Sequence, residues 1–116
     1  MISVTLPVRV VSEANSSWRE HWAHKNRRRK AQHDAVKIGL YNHRAEIKGR
    51  ETYTVTLTRI APRNLDTDNL ARSFKAVRDQ IATEIGIDDG SARITWIYTQ
   101  EKGKPKEYSM RVEINC

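Results

Sequence analysis

The run TYTVTLTRIAPRNLDTDNLARSFKAVRDQIATEIGIDD, residues 52–89, spells a strand, a stop and a helix in that order. From Thr52 to Ile60, Tyr53, Val55 and Leu57 share one parity and Thr54, Thr56 and Thr58 the other, which is the period-two pattern of a strand with one apolar face. Pro62 stops it. Leu70, Phe74, Val77, Ile81 and Ile85 then recur at spacings of four and three, which predicts one helix from about Asp68 to Ile85 with these side chains as its buried stripe. Gly86 is placed to close that helix in the left-handed conformation, with Ile87 folding back onto the last turn.

Before this run, Ile2, Val4, Leu6, Val8 and Val10 alternate, so Met1 to Val11 reads as a strand, and Pro7 places it at a sheet edge or a bulge. Ser17 and Glu20 fit a capping box, and Trp18 and Trp22 follow at helical spacing. The segment His24 to Lys30 has no apolar residue and reads as an exposed basic turn or a wholly solvated stretch of helix. From Ala31 to about Ala45, apolar residues return at Ala35, Val36, Ile38 and Leu40, and Gly49 ends that helix. After residue 89, strands are expected at Ala92 to Thr99 and Glu107 to Asn115, joined by the Glu101 to Pro105 turn. Tyr108, Met110, Val112 and Ile114 share one face of the last strand. The order strand, helix, strand, helix, strand, strand predicts an α/β or α+β fold, one mixed sheet of about four strands with two main helices, in a single domain over residues 1–116.

Composition narrows the partners. Hydrophobic residues make up 38% of the 116 and charged residues 30%, a globular balance, while 21 Lys and Arg against 14 Asp and Glu leave a net charge of +7. That excess favours nucleic acid or another anionic surface, because neutralising phosphates releases their counterions. No apolar run is long enough to cross a bilayer, and the alternation over Met1 to Val11 is not that of a secretory leader, so a cytoplasmic protein is expected. The single cysteine, Cys116, excludes an internal disulfide and a cysteine-rich zinc site.

Against this basic background the acidic residues come in pairs: Asp66 and Asp68 at one end of the expected helix, Asp88 and Asp89 just past the other. In extended backbone, residues two apart point the same way, so if the helix starts at Asp68 both carboxylates of the first pair can face one cation. Hard ions such as Mg²⁺ take oxygen ligands and retain waters, so two or three carboxylates suffice, and helix amides nearby attract phosphate. The structural alternative makes Asp68 an N-cap and Asp66 a turn former.

The whole phrase, Pro62-Arg63, Asp66-Thr67-Asp68-Asn69-Leu70, an amphipathic helix and Gly86-Ile87-Asp88-Asp89, resembles the RusA family of Holliday-junction resolvases, small basic endonucleases of phages and bacteria. The resemblance covers roughly the central third of the chain. It implies catalytic metal ligands at Asp66, Asp68 and Asp89, with Asp88 and Asn69 in support. It also implies a homodimer dependent on Mg²⁺, or Mn²⁺ in its place, that nicks two strands of a four-way DNA junction. The functional lysine of that family, four residues after the second aspartate, is Arg72 here, and Lys75 lies further along on the same helix face as Asp68. Arginine stabilises phosphate charge but is a poor proton donor, so either residue is a candidate for the cationic role. Alternatively Asp68, Arg72, Lys75 and Asp79 form solvated i,i+4 ion pairs, the preferred reading for Asp79.

A straight helix over Asp68 to Ile85 would be about 26 Å long, and the few residues to Asp89 cannot return the chain to Asp68. A shared site would then need a broken helix or Asp89 from a second subunit, in a two-fold dimer with composite sites.

Phosphate contacts are expected from Lys25, Arg27, Arg28, Arg29 and Lys30, from Arg63, and from Lys102 and Lys104 with Lys106 beside them. Trp18 and Trp22 are read as core or dimer contacts before base-stacking platforms. His21, His24, His33 and His43 lack the companions of a zinc site and are read as surface or DNA-facing residues. Two functions follow: a metal-dependent structure-selective endodeoxyribonuclease, or a non-catalytic basic nucleic-acid-binding protein. A phosphatase reading of Asp-x-Asp lacks the nucleophile-plus-Gly-Thr phrase after Asp68.

Overall fold

The computed structural model describes residues 1–10 and 22–116; the expected capping box of Ser17 and Glu20, Trp18 and His21 lie outside them, as does the side chain of Trp22. One four-stranded mixed sheet carries four helical segments on a face. The elements are β1 (Ile2–Leu6), α1 (Trp22–Leu40), a 3-10 turn (Tyr41–His43), α2 (Arg44–Ile47), β2 (Tyr53–Ala61), α3 (Thr67–Ser73), α4 (Lys75–Ile85), β3 (Ile94–Lys102) and β4 (Ser109–Asn115). The spatial order is β1-β4-β2-β3. β4 lies antiparallel to both β1 and β2, while β2 and β3 run parallel, joined by the α3–α4 crossover that parallel strands require. The expected α+β arrangement with a single mixed sheet is the one formed.

Parity decides which side meets the helices. Tyr53, Val55 and Leu57 of β2 and Met110, Val112 and Ile114 of β4 are buried, and their odd-even neighbours Thr54, Thr56, Ser109 and Arg111 are not. Leu70, Phe74, Val77, Ile81 and Ile85 close over them, all buried, so the apolar stripe does the work its spacing predicts. Gly86 sits at φ 84° and its amide donates to the Ala82 carbonyl at 2.8 Å, followed by the Ile87 amide at 3.2 Å, and Ile87 packs against the core. β1 ends at Leu6, before Pro7, on the sheet edge where a missing donor is harmless.

The basic run Lys25 to Lys30 lies within α1, unbroken from Trp22 to Leu40, so of its two readings the helical one is formed. Val36 and Leu40 turn inward, but Ile38, two residues from each, faces outward and is 75% exposed. The last two strands begin later than expected, at Ile94 and Ser109, leaving Tyr108 in the preceding loop, where the Arg9 guanidinium lies 4.2 Å from its ring centre. Most consequentially, the helix expected from Asp68 to Ile85 is two. It breaks at Phe74 (φ −95°, ψ 7°), whose amide donates to the Ala71 carbonyl in a tightened last turn of α3.

Candidate functional site

The acidic phrase starts α3. Asp66, extended at φ −68° and ψ 167°, is the N-cap: its Oδ1 accepts from the Asn69 amide at 2.8 Å and its Oδ2 from the Asn69 side chain at 3.0 Å. The cap is thus one residue pair earlier than the structural alternative placed it, and Asn69 supports Asp66 directly. Asp68 falls in the first turn, exposed, and its carboxylate has no hydrogen bond or ion pair with another described residue. Leu65, just before the cap, is held to β3 by the Gln100 side chain, which accepts from the Leu65 amide at 2.9 Å and donates to its carbonyl at 2.7 Å.

The second acidic pair is also fixed to β3. Trp96 donates its indole N–H to the Asp89 carbonyl at 3.0 Å. Arg78, from the middle of α4, donates to the same carbonyl at 2.9 Å and to the Tyr98 hydroxyl at 2.8 Å, and its guanidinium lies 4.9 Å from the Trp96 ring centre. Its Nε stands 3.3 Å from Asp89 Oδ2 without the alignment of a hydrogen bond, so that contact is Coulombic. Phe74 stacks near Tyr98 at 6.0 Å between centroids, which places the helix break beside the same strand.

Asp89 therefore does not trail beyond α4. After Gly86 the chain doubles back until Asp89 lies against Arg78. The approach to the first acidic pair is tied to Gln100 and the second pair to Trp96, two different positions along β3. Among the described residues no three His, Cys, Asp or Glu side chains come close enough together to hold a metal ion. Asp68 and the spare lone pairs of Asp66 suit a hard cation by chemistry; Asp89 is engaged by a guanidinium, and Asp88 is exposed.

The ion-pair ladder Asp68, Arg72, Lys75, Asp79 is not formed, and none of the four makes a salt bridge with a described residue. The break at Phe74 interrupts the continuous helix on which a shared face of Asp68 and Lys75 was expected, and Asp68 is not among the residues lining the groove with Lys75. Instead Arg72, Lys75 and Asp79 line a groove of 870 Å³ against α1, opposite Arg29, Lys30, His33, Asp34 and Lys37. Lys30 pairs with Asp34 at 2.8 Å, and this hydrogen bond raises the Lys30 pKa and lowers that of Asp34. Asp79 also lines a smaller depression with Asp88 and Asp89, so the basic groove opens toward the second acidic pair.

Of the other expected phosphate contacts, Arg27 is exposed on α1, while Lys25 and Arg28 are partly covered. Lys102 ends β3, and Lys104 lies in the following turn with its amide bonded to Glu107. Arg63 is exposed, and its carbonyl accepts from Arg59 at 2.6 Å. His43 contacts Glu46 at 3.3 Å. Arg78 was not singled out from the sequence, where it is one arginine among many; the only available signal was its spacing of four from Phe74. Neither models of known protein families nor curated proteins yield a match to this chain.

Proposed function

We propose that this chain is a Mg²⁺-dependent, structure-selective endodeoxyribonuclease acting on four-way DNA junctions. The observation that carries the reading is an exposed Asp68, with no hydrogen bond or ion pair to another described residue, beside the cap Asp66 and one helical turn from Arg72 in a basic protein. The resemblance to RusA resolvases supplies the substrate class and the assignment of Asp66, Asp68 and Asp89 as metal ligands.

In this reading Asp68 and Asp66 hold the cation, and Asn69 fixes the orientation of Asp66 through both of its oxygens. A Mg²⁺ or Mn²⁺ ion bound there supplies Lewis-acid activation of the scissile phosphate. Arg72 places a permanent positive charge one turn away, where the phosphorane-like charge of an in-line displacement develops. Arg78 contacts both the carbonyl and the carboxylate of Asp89, and since no three candidate ligands come together among the described residues of one chain, Asp89 of a second copy would complete the site.

The rival reading is a non-catalytic nucleic-acid-binding protein. It is favoured by the structural employment of Asp66 as a cap and Asp89 as a partner of Arg78. Nicking of a synthetic four-way junction and of a linear duplex of the same sequence, with and without Mg²⁺, separates the two. Junction-selective nicking that Asp68→Asn abolishes while leaving DNA affinity intact is the expected result. Tight binding without nicking under any divalent ion would leave only the rival.

A further inference from the structure

The groove between α1 and the α3–α4 pair is not explained by folding. Its floor is formed by Gln32, Ser73 and Ala76, all buried, and the polar floor groups are satisfied: Gln32 donates to the Arg9 carbonyl at 3.1 Å and Ser73 to the Leu70 carbonyl at 2.6 Å. The rim is where charge accumulates. Arg29 and Lys37 stand on the α1 wall and Arg72 and Lys75 on the other, all exposed and none in a salt bridge with a described residue. The Lys30–Asp34 pair is self-neutralising, which leaves Asp79 as the one uncompensated carboxylate on the rim against those four cations.

Two walls of like charge held face to face repel one another, an arrangement that an anion between them relieves. The cations come from segments some forty residues apart in sequence, so the convergence belongs to the fold and not to the basic run alone. From Arg72 to Gln80 the groove follows the helices for about 12 Å at 1.5 Å per residue. That length covers only a few phosphates of a single strand, and a channel between two packed helices admits one backbone, not a duplex.

We propose that this groove binds the phosphodiester backbone of a single nucleic-acid strand, gripped from both walls, running from Arg72 to Asp79, which also lines the depression with Asp88 and Asp89. The inference rests on the nucleic-acid part of the function proposed above and assigns Arg72 and Lys75 to strand binding together with α1. It does not depend on cleavage.

The test is fluorescence anisotropy with a labelled twelve-nucleotide oligo-dT in EDTA, across a salt series, for the full chain and four double variants. Arg29→Ala/Lys37→Ala and Arg72→Ala/Lys75→Ala are each expected to weaken binding at least tenfold and to reduce the log–log salt slope by about 1.4, the share of two phosphate contacts on a single strand. Lys48→Ala/Arg50→Ala removes the same charge at exposed positions outside the groove and is expected to change affinity less than twofold. The charge-conserving Arg72→Lys/Lys75→Arg variant retains affinity if the loss reports charge and not misfolding. Wild-type affinity in either wall variant, an equal loss in the control, or no binding of the oligonucleotide by the unaltered chain would overturn the proposal. Groove-dependent binding in a protein that never nicks a junction would remove the nuclease reading and keep the groove. Junction nicking with groove-independent binding would do the reverse.

Discussion

Arg78 joins α4 to the second acidic pair through four contacts of different kinds: a hydrogen bond to the Tyr98 hydroxyl, one to the Asp89 carbonyl, an ion pair with the Asp89 carboxylate and a face-on approach to Trp96. Truncation removes them together and leaves the Asp89 carbonyl with Trp96 alone. Arg78→Met is expected to cost about 2 kcal/mol in urea unfolding, the scale of charge-assisted hydrogen bonds in a partly buried setting. Arg78→Lys is expected to recover only part, since an ammonium cannot reach both oxygens of Asp89 and Tyr98 in one plane. Asp66 allows its two roles to be separated. Asp66→Ala loses the cap and is expected to cost about 1 kcal/mol, whereas Asp66→Asn keeps an acceptor and should unfold within a few tenths of wild type. If Asp66 also holds a metal ion, junction nicking fails in both variants, and nicking by Asp66→Asn at the wild-type rate would reduce Asp66 to a cap.

The break between α3 and α4 is the element on which the site turns. Phe74 is fully buried at the break and lies beside Tyr98, so Phe74→Ala is expected to cost about 3–5 kcal/mol and to loosen both acidic ends at once, measured by denaturation and by amide exchange at Asp68 and Asp89. Gly86→Ala is a milder perturbation. A Cβ there meets nothing within 4 Å, so only the φ of 84° is penalised, and a loss of about 1 kcal/mol is expected in the same assay. The strands and buried stripe were legible because periodicity reports burial, and Tyr53, Val55, Leu57 and the stripe from Leu70 to Ile85 fall where their spacing puts them. The break was not legible, because the stripe runs through Phe74 without a missed beat and neither proline nor glycine marks it. Arg78 was hidden for a related reason: all its partners lie eleven or more residues away and become neighbours only when the chain doubles back after Gly86. Ile38, two residues from both Val36 and Leu40, falls on the opposite side of α1 and is exposed there, where helical spacing puts it despite its apolar side chain.

At the scale of the molecule, no three carboxylate or other candidate ligand side chains come together among the described residues of one chain, and the composite site proposed above takes Asp89 from a second copy. Mixing Asp68→Asn with Asp89→Asn chains, each inactive alone, is expected to restore nicking, since each mixed dimer would hold one site with both aspartates intact. Absence of recovery at concentrations where the chains associate would count against sharing. A second molecular consequence comes from Arg59, buried in β2 with its pKa lowered mainly by that burial. It donates to the Val10 carbonyl at 3.0 Å and to the Arg63 carbonyl at 2.6 Å. One side chain thus fastens the chain where it leaves the first strand and where it enters the acidic phrase. The two segments behave as one mechanical linkage, so a force or a ligand that draws Val10 aside pulls on the approach to Asp66, fifty-six residues downstream in the chain but one guanidinium away in space.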